Sequence, residues 1–167
     1  MLTADQVRAA LDLKPLPHEG GYYRETYRSA ESVRADALPP RYGRDKALGT
    51  AIYYFLTPDT FSALHRLPTD EVYHFYLGSP VTLLQLSPAG GSVVTLGPDI
   101  LAGQQLQVVV PRGVWQGSCL QAGGAWALLG TTMAPGFDFS DFEAGDRAEL
   151  SAAYPEFAER IRQLTRE

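Results

Sequence analysis

The stretch FSALHRLPTDEVYHFYLG, residues 61–78, decides the fold because its pattern predicts two β-strands joined by the short turn LPTD. Aromatic and β-branched residues favour strands, whereas Pro and Asp favour turns. Successive side chains of a strand point to opposite faces. The second strand therefore has two predicted faces, which are Glu71, Tyr73, Phe75 on one side and Val72, His74, Tyr76 on the other.

Similar short runs continue in both directions along the chain. Eight of them lie between residues 50 and 133, separated by Gly and Pro turns: TAIYYFL (50–56), FSALHRL (61–67), EVYHFYL (71–77), VTLLQL (81–86), GSVVTL (91–96), LQVVVP (106–111), GSCLQA (117–122) and WALLGTTM (126–133). No run with a helical period intervenes, which argues against parallel strands connected by helices. We predict an all-β fold, a sandwich or barrel of antiparallel strands.

The two ends of the chain carry helical patterns. Thr3 and Gln6 have the spacing of a capping box at the start of a short N-terminal helix. An apolar helical face near the C-terminus is formed by Tyr154, Phe157, Ile161 and Leu164. The polar residues 29–46 predict an exposed loop, and the length of the chain predicts one domain over residues 1–167.

Composition argues against some partners. The chain holds 14 basic and 19 acidic residues, a net charge of −5, so no basic surplus is available to neutralise nucleic acid phosphates. No apolar run is long enough to cross a membrane, and the N-terminus lacks the pattern of a secretory signal. The single Cys119 cannot form an internal disulfide, which suits a reducing compartment. We expect a cytoplasmic protein that binds neither nucleic acid nor membranes.

Charge is scarce in the middle of the chain, where residues 51–137 contain only six charged side chains. His65 and Glu71 stand out there, on neighbouring predicted strands. An acid enclosed in an apolar interior beside an imidazole has a perturbed pKa and can act as a base, an acid or a metal ligand. A structural ion pair explains the two residues equally well. His74 lies on the opposite predicted face, which is more typical of a structural or interface histidine.

A second group lies in VVVPRGVWQG, residues 108–117, where a strand ends at Pro111 and the chain turns at Gly113. Trp115 can stack on a planar ligand, and the Gln116 amide can bind a ligand or offer its oxygen to a metal. Taken alone, this pattern is more typical of a turn followed by a core tryptophan. Only its pairing with the first group gives it functional weight.

Together the two groups resemble the paired motifs of the cupin superfamily, G-x(5)-H-x-H-x(3,4)-E-x(6)-G and G-x(5)-P-x-G-x(2)-H-x(3)-N. The matching positions are His65, Glu71, Gly78, Pro111 and Gly113. The departures are Leu67 at the second histidine, Gln116 at the last histidine and Leu120 at the asparagine. Two of the four metal ligands that the superfamily motifs usually supply are therefore altered.

A more specific resemblance spans nearly the whole chain. PHEGGYYRETYRS (17–29), LHRLPTDEVYHFYLG (64–78), VPRGVWQG (110–117) and APGFDFSDFEAGDRAEL (134–150) resemble, in order, a small single-domain cupin family long catalogued as a domain of unknown function. The resemblance implies a cupin-type antiparallel β-barrel (double-stranded β-helix or jelly roll) with short N- and C-terminal helices, usually a homodimer. It implies a fold and not an activity.

Two further motifs acquire a role within such a barrel. Strand residues 21–28 would pack beside the pocket, so that Glu19, Tyr23 or Glu25 can reach its mouth, although a purely structural turn is equally consistent with the pattern. The aromatic residues of the last motif either form an apolar lid or belong to the core; they are Phe137, Phe139 and Phe142.

Three functions fit these residues. The favoured one is an enzyme that epimerises or isomerises a small sugar-like metabolite, with Glu71 and His65 exchanging protons and Gln116 orienting the substrate. The second is a metal-dependent enzyme that holds a divalent metal with the same three residues. The third is a non-catalytic small-molecule-binding module with an aromatic cage. The predicted ligand-binding residues are Tyr23, Tyr73, His74, Trp115 and Gln116.

Overall fold

A computed structural model describes residues 2–166, which form two large antiparallel β-sheets packed face to face and a third sheet of two short strands. The helices are α1 (Ala4–Ala10), α2 (Arg147–Ala153) and α3 (Ala158–Gln163). The strands are β1 (Lys14–Pro15), β2 (Tyr22–Arg28), β3 (Ser32–Val33), β4 (Lys46–Ala47), β5 (Thr50–Leu56), β6 (Phe61–Arg66), β7 (Glu71–Gly78), β8 (Val81–Ser87), β9 (Gly90–Leu96), β10 (Gln107–Val110), β11 (Trp115–Leu120), β12 (Ala127–Met133) and β13 (Glu143–Ala144).

The larger sheet has six strands in the order β1-β2-β5-β12-β7-β10, and the smaller has five in the order β13-β6-β11-β8-β9. The named strands pair antiparallel throughout both sheets. The predicted all-β class with short terminal helices is confirmed. None of the helices in residues 2–166 has both the length and the apolar character that a bilayer crossing requires.

The main core lies between the sheets. Tyr54 and Tyr73 enter it from the six-stranded sheet, and Leu83 enters it from the five-stranded sheet. Burial of the Leu83 side chain contributes roughly 1.5–3 kcal/mol. Two smaller clusters cover the outer faces: α1 packs on part of the six-stranded sheet, and the two C-terminal helices pack on the five-stranded sheet. The inner faces are therefore left to form the interior.

The predicted alternation along β7 is confirmed. Glu71, Tyr73 and Phe75 are buried, whereas the outward positions between them are half-buried or exposed. The capping box at Thr3 and Gln6 also forms at the start of α1. These elements follow local rules of side-chain direction and hydrogen bonding, which a sequence reports directly.

Three expectations need correction. Residues 29–46 are more than an exposed loop, because β3 pairs with β4 there and the side chains of Tyr42 and Lys46 are buried. Strand β11 begins at Trp115, before the predicted run GSCLQA at residue 117, so that Trp115 and Gln116 lie within the strand. Helix α2 was not predicted and precedes the predicted C-terminal helix, which starts as a turn of 3-10 helix at Pro155–Phe157 and continues as α3. Its apolar face still packs on the five-stranded sheet.

Candidate functional site

A cavity of about 210 Å³ lies against the inner face of the six-stranded sheet. Its apolar walls include Leu16, Ile52, Leu67, Met133, Phe137 and Phe139. Its polar lining includes Glu19, Tyr23, Glu25, Arg28, Glu71 and Thr131. Pockets for drug-sized ligands enclose roughly 300–1,000 Å³. This cavity therefore fits a compact polar molecule.

Glu71 is the most deeply buried acid of the cavity, with 7% of its surface exposed. The Gln116 amide donates a hydrogen bond of 2.8 Å from Nε2 to Glu71 Oε2. Burial raises the pKa of Glu71 to about 7, the negative charge of Glu19 adds to the rise, and His65 and hydrogen bonds from Thr131 and Gln116 oppose it. A carboxyl group with this pKa both accepts and releases a proton near neutral pH.

Glu19 reaches the same interior from the turn before β2. The hydroxyl of Ser62 donates to Glu19 Oε1 at 2.6 Å. The turn depends on Gly20 and Gly21, whose φ angles of +101° and +70° favour glycine. A Cβ atom on Gly21 would also lie 2.9 Å from both the Phe55 carbonyl oxygen and the Tyr54 hydroxyl. The glycine pair thus lets the chain approach β5 closely enough to turn Glu19 inward.

His65 is buried behind Glu19, with 1% of its surface exposed. Its Nδ1 lies 2.7 Å from the carbonyl oxygen of Ala63, so Nδ1 carries a proton and donates it to that bond. Nε2 then faces Glu19 Oε2 at 3.9 Å. The ring stacks on Phe142 with centroids 5.0 Å apart, which fixes its plane. Glu19 lines the cavity and His65 does not, so the predicted catalytic histidine lies behind Glu19.

A β-bulge explains how Ser62 and His65 come to face the same carboxylate. In the pairing of β6 with β11, His65 lies opposite Gln116 and Ser62 lies opposite Ser118. Between these two pairs, one residue on β11 thus lies opposite two on β6, and the extra residue restores the inward direction at both positions. A regular strand would place Ser62 and His65 on opposite faces.

The structure brings some of the predicted ligand-binding residues to this region and leaves others outside it. Tyr23 lines the cavity, and Gln116 lies behind it on Glu71. Tyr73 lies in the core between the sheets, where burial raises its pKa well above the ordinary value for tyrosine. His74 and Trp115 lie on the outer faces of the six-stranded and five-stranded sheets, away from the cavity. His74 hydrogen-bonds Thr132 and Gln107, and Trp115 packs under Arg66.

An arginine–glutamate pair in the cavity wall was absent from the predicted ligand-binding residues. Arg28 donates to both carboxylate oxygens of Glu25, at 3.0 and 2.8 Å, and to the carbonyl oxygen of Phe137 at 3.0 Å. The pairing of β2 with β5 shifts register between Glu25 and Tyr27, which aligns Arg28 with Glu25. The regular alternation of a strand separates these two positions. The sequence carries no signal for this bulge.

The donor set does not fit the metal site that the cupin motifs imply. Leu67 offers no ligand atom, and the Gln116 amide directs its NH2 group, which cannot bind a cation, at Glu71. Gln116 Oε1 is buried without a hydrogen-bond partner in residues 2–166. Over the same residues, no three His, Cys, Asp or Glu side chains are placed to hold a metal ion. The groups that the site offers for chemistry are therefore its acids and the Gln116 amide.

Two solved structures are similar to this chain over nearly its whole length. A hypothetical protein from Leishmania major is 33% identical, with a TM-score of 0.88 over 99% of this chain and 100% of that one. A Shewanella oneidensis protein is 35% identical, with a TM-score of 0.85 over 99% of both chains. The fold is thus shared with two proteins of similar length. No curated protein matches this chain.

More distant structures share the fold alone. A cupin 2 conserved barrel domain protein from Rhodopseudomonas palustris is 13% identical, with a TM-score of 0.60 over 93% of this chain and 90% of that one. Oxalate decarboxylase from Bacillus subtilis is 15% identical, with a TM-score of 0.53 over 92% of this chain and 37% of that one. The family model described as Cupin superfamily (DUF985) matches residues 5–145. The chain therefore belongs to the DUF985 family of the cupin superfamily.

Proposed function

We propose that this cupin is an enzyme that epimerises or isomerises a small, polar, sugar-like metabolite through proton transfer by Glu71. One observation carries the proposal: a buried carboxyl group, whose pKa is raised to about 7, lines a cavity of about 210 Å³. General bases and acids work best when their pKa lies near the working pH. Glu71 meets this condition at neutral pH.

The proposed reaction moves a proton next to a carbonyl group. Ionised Glu71 removes the proton from the carbon beside the carbonyl, which leaves a planar enediolate. In isomerisation Glu71 returns the proton to the former carbonyl carbon while the proton of the adjacent hydroxyl moves to the former carbonyl oxygen. In epimerisation the enediolate turns over before Glu71 returns the proton to its other face. Gln116 holds Glu71 Oε2, which leaves Oε1 to the substrate. The hydroxyl of Tyr23 donates a hydrogen bond to the carbonyl oxygen. The negative charge of Glu19 raises the pKa of Glu71 and so favours the step in which Glu71 takes up the proton.

The volume of the cavity limits the substrate. A space of about 210 Å³ lies below the usual range for drug-sized ligands, so a nucleotide-linked sugar cannot be enclosed whole. The paired charges of Glu25 and Arg28 and the hydroxyl groups of Tyr23 and Thr131 suit a ligand with several hydroxyl groups. A free monosaccharide or a short hydroxy-acid meets both limits.

Deuterium exchange tests the proposal directly. We expect the wild-type protein, incubated in D2O with a panel of monosaccharides and hydroxy-acids, to exchange the proton next to the carbonyl of at least one compound, followed by proton NMR. Glu71→Gln keeps the shape of the site and its hydrogen bond with Gln116 but removes the base, so exchange is expected to disappear. His74→Gln changes a polar side chain on the outer face and is expected to exchange at the wild-type rate.

The same panel distinguishes the binding-module alternative. A compound that raises the melting temperature of the wild-type protein, yet shows no exchange and is recovered unchanged, would replace the enzyme proposal with binding alone. Exchange that persists in Glu71→Gln would assign the base to another residue.

We also propose that two copies associate through the outer face of the six-stranded sheet. Helix α1 covers only part of this face and leaves Tyr76 and Val109 exposed. The polar side chains beside them already bond one another, since His74 bonds both Thr132 and Gln107. The face can therefore be buried without leaving these polar groups unpaired.

Solution scattering tests the association. We expect the mass of the wild-type protein to be twice that of one chain, and that of Tyr76→Arg to be that of one chain. Leu101→Arg is the matched control, because Leu101 is exposed in a turn away from this face. A monomeric wild-type protein would contradict the proposal.

The cytoplasm is the location that we propose. Cys119 is free and half-buried, and burial raises the pKa of its thiol, which keeps it protonated and unreactive. A single free thiol without a disulfide partner suits a reducing compartment.

A further inference from the structure

A second concave region, the arginine cleft, lies outside the cavity and encloses about 560 Å³. Four arginines line it, from three separate parts of the chain: Arg41, Arg44, Arg66 and Arg112. Leu67 lines both the cavity and the cleft and is 4% exposed, so its side chain forms part of the wall between them. The proton transfer proposed above uses none of the four arginines.

The two acids of the cleft already have cationic partners. Asp141 forms a buried ion pair with Lys46, which does not line the cleft. Glu143 accepts two hydrogen bonds of 2.7 Å from Arg66, whose guanidinium also lies over the Trp115 ring. These pairs leave the positive charges of Arg41, Arg44 and Arg112 without a carboxylate of the cleft to neutralise them. This surplus stands out in a chain whose net charge is −5.

Neutral groups hold Arg41 in position without reducing its charge. Its guanidinium donates to the carbonyl oxygen of Pro68 at 3.0 Å and to the hydroxyl of Tyr42 at 3.3 Å, and it lies 4.6 Å from the centre of the Tyr42 ring. Tyr42 is itself buried and accepts a hydrogen bond from Thr69. Arg41 is thus a cation fixed in orientation before any ligand arrives, which lowers the entropy that binding costs.

Arg112 provides the second free cation. Within residues 2–166 its guanidinium has no hydrogen-bond or ion-pair partner, whereas its backbone N–H donates to Asp70 at 2.8 Å. That bond and the one from the Gly113 N–H to the Leu67 carbonyl oxygen, also 2.8 Å, fix the turn that carries the side chain. Arg44 contacts Asp138 only at 3.5 Å, with both side chains about half exposed. Such an exposed contact contributes little.

We propose that the arginine cleft binds a small oxyanion with at least two negative charges, through Arg41 and Arg112. Guanidinium groups present paired N–H donors that match the oxygens of phosphate and carboxylate groups. The ligand class is therefore a compact phosphate or polycarboxylate. The site is separate from the cavity, and its occupation does not depend on the reaction proposed for Glu71.

Calorimetric titration at low ionic strength tests the site, with inorganic diphosphate and citrate as separate probes of the phosphate and carboxylate classes. We expect the wild-type protein to bind at least one of them, and Arg41→Gln and Arg112→Gln each to weaken that binding by about tenfold or more. Arg24→Gln, on the outer face of the sheet near Tyr53, is the matched loss of charge and is expected to leave binding unchanged. Glu71→Gln tests independence from the cavity and is expected to bind as the wild type does.

The outcomes separate this site from general attraction. Equal weakening by Arg24→Gln would show that only the overall charge matters and would overturn the proposal, as would the absence of binding by either probe in the wild-type protein. Binding that is lost in Glu71→Gln would place the anion in the cavity instead. Because the titration needs no turnover, it can succeed or fail whether or not exchange is observed.

Discussion

Glu71→Gln is expected to unfold at a higher denaturant concentration than the wild-type protein at pH 8, with a free energy of unfolding larger by about 3 kcal/mol. The reason is the buried charge of Glu71. Its pKa in the folded protein is about 7, against an ordinary value of 4.5, because burial and the charge of Glu19 disfavour the ionised form. Glutamine has a similar shape and no charge to bury.

The direction of the pH dependence follows from proton binding. Between pH 4.5 and pH 7 the folded wild-type protein holds the Glu71 proton, whereas the unfolded chain has released it. The Glu71 contribution to stability is therefore fully present below about pH 4.5 and is lost as the pH rises through about 7. Urea denaturation of the wild-type protein and Glu71→Gln from pH 4 to pH 8 measures this contribution as the difference between their free energies of unfolding. The effects of the other titrating groups largely cancel in that difference.

Glu156→Gln is the matched control, since Glu156 is exposed at the start of the turn between α2 and α3. The difference in free energy of unfolding between Glu156→Gln and the wild-type protein is expected to stay constant over the same pH range. A flat difference for Glu71→Gln as well would contradict the raised pKa and would remove the main support for its acid–base role.

The expected destabilisation of the folded protein by the ionised Glu71 side chain bears on the function of this residue. A side chain that destabilises the folded protein at neutral pH, and that could be replaced by glutamine without a loss of volume, is expected at a site under functional constraint. Glu71 fits that description. The alternative, that Glu71 serves only as the partner of His65 in a structural ion pair, agrees less well with the structure. His65 lies nearest to Glu19, and the partner that bonds Glu71 directly is the uncharged amide of Gln116.

The sequence predicts those parts of the fold that depend on local periodicity. The alternation along β7 correctly places Glu71 inside and His74 outside. Regular alternation fails at β6 and β2, where one extra residue turns Ser62 towards the side of His65 and Arg28 towards the side of Glu25. A bulge is a property of strand pairing, and the sequence of one strand does not specify it.

Other features depend on contacts between distant parts of the chain. The glycine pair at residues 20 and 21 marks a turn in the sequence, but its direction follows from the close approach to β5 that carries Glu19 inward. Lys46 lies in a polar stretch that predicts exposure, yet it is buried and forms an ion pair with Asp141, 95 residues later in the chain. Local composition describes neither contact, because each depends on how the sheets pack.

Lys46→Met is expected to lower the free energy of unfolding by about 3–5 kcal/mol at pH 7, the usual result of removing one partner from a buried ion pair. The side chains of Lys46 and Asp141 are 1% and 6% exposed. Methionine fills much of the same volume, so the loss comes mainly from the unpaired charge of Asp141. Denaturant unfolding measures it, and Arg34→Met is the matched control, because Arg34 pairs with Asp36 on the surface and is expected to change stability by less than about 1 kcal/mol.

The double variant Lys46→Met/Asp141→Leu separates charge from packing. If the unpaired carboxylate causes the loss, removing it is expected to restore most of the stability, since buried ion pairs can often be replaced by apolar side chains. A double variant that is no more stable than Lys46→Met would assign the effect to the packing of Lys46 beside Tyr42.

Because Asp141 follows closely on Phe137 and Phe139 in the chain, a Lys46→Met protein is also expected to loosen this wall of the cavity before it unfolds as a whole.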